Sequence, residues 1–94
     1  MDDPIYLDNN ATTLVDPRVV EAMLPSFTEH FGNPSSIHAF GSQVGRALKE
    51  ARGRIQALLG AAHDSEIIFT SCGTESDSTA ILSALKAQPE RNAV

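Results

Sequence analysis

Residues 66–70, Glu-Ile-Ile-Phe-Thr, constrain this chain more than any other stretch. The unbroken apolar run Ile67-Ile68-Phe69 is the pattern of a strand buried on both faces of a parallel sheet. A lone strand leaves its backbone N–H and C=O groups without partners, and buried backbone groups are nearly always paired. Elsewhere the sequence offers only the short run Ile5-Tyr6-Leu7, read as a brief strand running into a loop at Asp8-Asn9-Asn10, and Ala93-Val94, where another strand could open. The strand at 66–70 therefore needs neighbours outside these 94 residues or on another chain. The reading that follows is the N-terminal piece of a longer protein. Its alternative is a small α-rich domain in which the apolar run is a buried loop.

Three helices surround that strand in sequence. Asp16-Pro17 is a helix start, because Asp caps free N–H groups and Pro suits the first helical position. Val19, Val20, Met23, Leu24, Phe27 and Phe31 recur at three- and four-residue spacing and predict one buried face. Pro25 falls inside this pattern and should kink or interrupt it. Gly32-Asn33-Pro34 should stop it. After a loop rich in turn formers, Asn33 to Gly41, a second helix carries the stripe Val44, Leu48, Ala51, Ile55 and Leu58/Leu59. Arg46, Lys49, Glu50, Arg52 and Arg54 mostly fall on its other side, and Gly60 is a natural C-terminal cap. A third helix is expected from about Glu75 to Ala87, burying Ala80, Ile81, Ala84 and Leu85 and ended by Pro89. The α/β class follows.

Seven Lys and Arg against 12 Asp and Glu give 7 − 12 = −5. That balance argues against a nucleic-acid footprint, which needs clustered Lys and Arg, and against an anionic membrane surface. No apolar run approaches the ~20 residues of a membrane span. The acidic start Met1-Asp2-Asp3-Pro4 is no secretory signal. A single cysteine makes no internal disulfide, which fits a reducing cytoplasm.

The junction Thr70-Ser71-Cys72-Gly73-Thr74-Glu75 between strand and helix holds the most chemistry. A helix N-terminus offers free N–H groups and a partial positive charge, so it can hold a phosphate. Gly73 would let the backbone approach closely, and the Thr74 hydroxyl would add a hydrogen bond. The competing reading is ordinary capping, with Thr74 and Asp77 in a Thr-x-x-Asp pattern. Glu75 and Asp77 would oppose an anion unless they point away. The segment is neither a P-loop nor a dinucleotide fingerprint. Cys72 on this turn is either a thiolate favoured by the helix N-terminus or a small buried residue. His30, His38 and His63 lack metal-ligand spacing, so no metal site is expected. Lys86 suits the dipole of a helix end, and Lys49 a solvated face.

Three segments, in order and in register, carry a resemblance. They are Tyr6-Leu7-Asp8-Asn9-Asn10-Ala11-Thr12-Thr13, Phe31-Gly32-Asn33-Pro34-Ser35-Ser36-Ile37-His38, and Ile68-Phe69-Thr70-Ser71-Cys72-Gly73-Thr74-Glu75-Ser76-Asp77. Together they resemble the cysteine desulfurases, class V enzymes of the fold-type-I pyridoxal-phosphate (PLP) group, from about residue 5 to the end. The run Ser71-Cys72-Gly73-Thr74-Glu75-Ser76-Asp77-Ser78 and the residues after it look like the nitrogen-fixation type.

The resemblance implies a large domain with a mostly parallel central sheet and a smaller second domain not covered here. Residues 1–15 would be an N-terminal arm and 16–94 the incomplete start of the PLP-binding domain. It implies removal of sulfur from L-cysteine, with PLP as electron sink, alanine as product and an enzyme persulfide for iron–sulfur cluster assembly. An iron–sulfur scaffold protein would accept the sulfur, and the enzyme would be a cytoplasmic homodimer. The turn matching Gly73 and Thr74 holds the PLP phosphate in that family. The Asn9–Thr13 loop resembles one near the substrate pocket, and the Asn33–His38 loop one near the active site and dimer contact. The cofactor-linked lysine follows a Ser-x-His-Lys pattern that neither Lys49 nor Lys86 has. By the same resemblance the other catalytic groups would lie beyond residue 94, and Cys72 does not match the persulfide cysteine of a late loop. These residues alone would be inactive. Other fold-type-I enzymes, such as a selenocysteine lyase or a class V aminotransferase, and a non-enzymatic protein-binding module are the rival readings.

Overall fold

The structure is a computed structural model that describes residues 3–91; Ala93-Val94, where a further strand was expected, lie outside them. Its elements are α1 (Pro17–Met23), α2 (Pro25–Thr28), α3 (Ala39–Leu59), a 3₁₀ turn (Asp64–Glu66) and α4 (Gly73–Ala87). The chain divides into two units, Met1–Ala51 and Arg52–Val94.

In the first unit, Asp16 caps α1. Its carboxylate accepts the Arg18 N–H at 2.8 Å and pairs with the Arg18 guanidinium at 2.7 Å. That guanidinium, and then the backbone N–H, hold the carboxyl below its ordinary pKa. Pro25 interrupts the helix as its missing N–H requires, so Leu24 ends α1 and precedes α2. Helical structure stops at Thr28, earlier than the turn at Gly32–Pro34 suggests, because the Glu29 and His30 N–H groups both bond back to the Pro25 carbonyl at 2.8 Å. The apolar face expected to be buried is exposed: Val20 is 44% and Phe27 72% accessible. Phe31 lies beyond α2 and stacks on Phe40, with centroids 6.0 Å apart.

The loop from Gly32 to His38 folds back on the start of α3. Asn33 Oδ1 accepts the Ser35 N–H at 2.9 Å, and Asn33 O accepts the Ser36 N–H at 3.0 Å. His38 Nδ1 accepts the Gly41 N–H at 3.3 Å and so acts as an N-cap for α3. Gly41 is buried where a Cβ would lie 2.6 Å from the Asn33 carbonyl oxygen and closer still to that of Ser36. Nearer the N-terminus, the Tyr6 hydroxyl reaches the carbonyls of Asp8 (3.0 Å) and Thr12 (2.8 Å) across a turn at residues 8–11.

In the second unit, α3 ends at Gly60 with φ +69°. The Gly60 N–H bonds Ala57 O at 3.3 Å and the Ala61 N–H bonds Gln56 O at 3.0 Å, the paired bonds of a Schellman cap. The stripe of α3 is only partly covered: Val44 and Ile55 are half-buried, whereas Leu58 and Leu59 are exposed. The faces of α1 and α4 fare no better, with Ile81 47% accessible and only Leu85 half-buried on α4.

No strand forms among the described residues. Neither expected strand is paired there. Ile5–Leu7 is irregular, and Glu66 belongs to the 3₁₀ turn, so the extended stretch begins at Ile67 with φ −94° and ψ 115°. A ladder needs a second strand, and none of the described segments lies beside 67–70 to supply one.

Candidate functional site

The junction after the 3₁₀ turn is built from both sides. Upstream, the His63 N–H donates to the Glu66 carboxylate at 2.9 Å, and the Ile67 N–H to Asp64 O at 3.1 Å, which fixes where the extended segment starts. Ile67 is the only buried apolar residue among those described, at 8% accessibility. From α3, Arg52 donates a guanidinium N–H to the Ile67 carbonyl and lies over the Phe69 ring, 4.8 Å from its centroid. Arg52 is thus half-buried and engaged, although it lies off the apolar stripe of α3.

Downstream, Cys72 is the N-cap of α4, with extended backbone (φ −167°, ψ 172°). The helix starts at Gly73, two residues before the expected Glu75. Thr74 therefore sits inside the first turn, and the Thr74–Asp77 capping pattern does not form. The Thr70 hydroxyl donates to Cys72 O at 3.1 Å, and the Ser76 hydroxyl to the same carbonyl at 3.2 Å. Ser76 closes the first intrahelical bond, its N–H reaching Cys72 O at 3.1 Å. The N–H groups of Gly73, Thr74 and Glu75 come before that bond and have no intrahelical acceptor.

Glu75, at the third helical position, turns its carboxylate back onto Ser71. It accepts the Ser71 N–H at 2.8 Å and also the Ser71 hydroxyl. The hydroxyl first and the N–H second hold the Glu75 carboxyl below its ordinary value. Of the two acids that would oppose an anion at this turn, Glu75 is therefore committed to Ser71.

Cys72 is exposed, which corrects its reading as a small buried residue. Its thiol is held below the ordinary value, first by the Glu75 N–H, then by the Ser71 hydroxyl (3.7 Å from Sγ), and by smaller contributions from the Thr74 N–H and hydroxyl. The N–H groups of Glu75 and Thr74 and the Thr74 hydroxyl thus favour negative charge at one exposed point of the turn, while the Ser71 hydroxyl is shared with Glu75. A Cβ at Gly73 would meet no atom within 4 Å, so the space beside the first helical residue is open.

This donor set fits a phosphate: N–H groups without intrahelical acceptors at the head of a 15-residue helix, a threonine hydroxyl, and an approach not blocked by a side chain. The structure brings Gly73 and Thr74 together at the first two helical positions. Asn33 and His38 belong to the other unit and organise its loop. Sequence reading raised the charge of Glu75 but missed its partner Ser71, and it missed Arg52. With the helix start placed at Gly73, Glu75 is the third helical residue, where a glutamate characteristically reaches back over the cap. Among the described residues, no cluster of His, Cys, Asp or Glu is arranged to hold a metal ion.

Residues 5–94 match the family described as Aminotransferase class-V. The chain is 77% identical over 90 residues to "Cysteine desulfurase NifS" of Azotobacter vinelandii, covering 96% of this chain and 22% of that protein. It is 66% identical over 90 residues to a "Cysteine desulfurase" of Gluconacetobacter diazotrophicus, with the same coverage. It is 59% identical over 91 residues to a "Cysteine desulfurase" of Bradyrhizobium diazoefficiens, covering 97% of this chain and 23% of that one. The chain thus spans about a fifth of the length of the curated relatives it matches. No solved structure matches at a significant level.

Proposed function

Because the chain belongs to the class-V aminotransferase family, we propose that it is the opening part of a PLP-dependent cysteine desulfurase of the nitrogen-fixation type. Residues 1–15 act as an arm and residues 16–94 begin the cofactor-binding domain, whose other parts complete the fold-type-I sheet. The extended segment from Ile67 to Thr70 is the strand of that sheet, and its exposed Ile68 (70%) and Phe69 (45%) are the surfaces its neighbours cover. The names borne by relatives at 77% and 66% identity support the activity.

The observation that carries the site is the convergence of donors at the head of α4. Gly73 and Thr74 hold the cofactor phosphate through their N–H groups and the Thr74 hydroxyl. Ser71 keeps the Glu75 carboxylate turned away from that anion. When bound, PLP supplies the electron sink for removing sulfur from L-cysteine. This segment binds and orients the cofactor, while the residues that move protons and accept sulfur lie beyond it. A cytoplasmic homodimer passing sulfur to an iron–sulfur scaffold protein completes the reading. Among the described residues no helix is long and apolar enough to cross a membrane.

The test is PLP titration of the full-length apo-enzyme. Thr74→Val keeps the shape and removes the hydroxyl. A hydrogen bond to a charged group is worth about 1.5–3 kcal/mol, so affinity should fall by about one to two powers of ten. Gly73→Val should fall further, since a branched side chain fills the open space. Thr74→Asp should abolish binding by setting a carboxylate against the phosphate. Normal uptake by the Asp variant would sink the assignment.

A further inference from the structure

We propose that Arg52 is a positioning residue for the phosphate turn, acting through the extended segment that leads into it. The inference rests on the reading of Gly73 and Thr74 as the phosphate cradle. Two contacts carry it. The Arg52 guanidinium donates to the carbonyl of Ile67, the only buried apolar residue among those described. The same group covers the Phe69 ring, 4.8 Å from the centroid.

The Ile67 carbonyl and the Phe69 ring meet the same guanidinium. One planar cation therefore holds the segment at two places, by an in-plane N–H bond and by cation–π attraction. Two attachments, unlike one, fix rotation about the segment as well as its distance from α3. Phe69 adjoins Thr70, whose hydroxyl bonds Cys72 O, the carbonyl that also accepts the first intrahelical bond of α4. The clamp on residues 67 and 69 is thereby linked to the aim of the N–H groups of Gly73 and Thr74. No contact places Arg52 on the phosphate donors themselves. A lysine cannot replace it, because an ammonium is a point charge that cannot make the in-plane bond and cover the ring together.

The experiment titrates full-length apo-enzyme with PLP and, in parallel, with pyridoxal, which lacks the phosphate. The ratio of the two affinities isolates the phosphate, since the link to the distant lysine is common to both ligands. Arg52→Lys and Phe69→Leu should each lower PLP affinity several-fold, up to about tenfold, and leave pyridoxal affinity within about twofold. The phosphorus NMR signal of bound PLP should move toward its solution position in both variants. A purely structural role would lower both affinities together or neither, and either result overturns the proposal. Arg52→Met that does not fold while Phe69→Leu keeps the wild-type ratio also overturns it. Thr74→Val run alongside separates the two readings. If it lowers the ratio and the Arg52 and Phe69 variants do not, only the role of Arg52 falls. If Thr74→Val leaves the ratio unchanged, the phosphate cradle falls and this role falls with it.

Discussion

The carboxylate of Glu75 takes both the N–H and the hydroxyl of Ser71, so the acid nearest the head of α4 faces back along the chain and not toward the open side of the turn. This latch separates two effects of Glu75 that oppose one another. Its hydrogen bonds order the turn, and its charge repels an anion bound there. Glu75→Gln keeps the length and an acceptor but removes the charge, so PLP affinity of the full-length apo-enzyme should match or exceed wild type. Glu75→Ala removes the latch, and affinity should fall about fivefold, the scale of a lost capping interaction. A Gln variant weaker than the Ala variant would reject this division.

The pH dependence of the latch has a definite sign. The Glu75 pKa is lowered in the folded chain, chiefly by the Ser71 hydroxyl. A depressed carboxylate contributes stability that is present above its unfolded pKa and lost as pH falls through the folded value. Acid titration of wild-type and Glu75→Gln proteins, followed by urea midpoint, should show a shallower acid loss in the Gln variant. Parallel curves would count against the latch.

Much of this site was legible from sequence, and the part that was not has a physical cause. Gly73 and Thr74 are small, turn-forming and placed between an apolar run and a helix, so their position at a helix head follows from local rules. Asp16, Pro17, Pro25 and Gly60 act through their own backbone or side chain, and each does what the sequence reading assigns it. The contacts of Arg52 were not legible because helical spacing reports which face a residue occupies, not what a long side chain reaches from it. Cys72 was left between two readings because its burial depends on neighbours distant in sequence. The same reason explains the exposed faces of α1 and α4: periodicity marks a face that needs cover, and the covering residues are not among those described.

Cys72 should be reactive without being the sulfur carrier. Its lowered pKa, due first to the Glu75 N–H, raises the thiolate fraction near neutrality. Alkylation of Cys72 by iodoacetamide should therefore have its pH midpoint below that of a free thiol, about 8.5. PLP loading should slow the labelling, because the same donors are drawn to the phosphate. Cys72→Ala should still form persulfide from L-cysteine. Mass spectrometry locating the persulfide on the Cys72 peptide would overturn this assignment.

Taken alone, residues 1–94 should be marginal or partly molten. Ile67 is the only buried apolar residue among those described, while Ile5, Leu7, Leu14 and Leu58 are each more than 80% accessible. Hydrophobic burial is the main force offsetting chain entropy, and little is available here. Circular dichroism with urea should give a broad transition, with helix signal retained at low denaturant and strong dye binding to apolar surface. A sharp two-state transition worth several kcal/mol would contradict this.

Two glycines of α3 should respond to alanine with opposite signs. At Gly41 the added Cβ would meet the carbonyl oxygens of Asn33 and Ser36, which are backbone atoms and cannot swing aside as a side-chain end can. Relieving the clash means moving the loop that Asn33 and His38 tie to the helix start. Overpacking of this kind costs about 1–3 kcal/mol. At Gly53 a Cβ would meet no atom within 4 Å, and the backbone is already helical. Alanine there removes unfolded-state freedom and should stabilise by about 0.5–1 kcal/mol. Urea midpoints of the two full-length variants should therefore bracket the wild type, Gly53→Ala above and Gly41→Ala below. Gly41→Ala at or above wild type would show that the loop from Gly32 to His38 yields without cost. A loss at Gly53→Ala would show that another part of the protein packs against that face of α3.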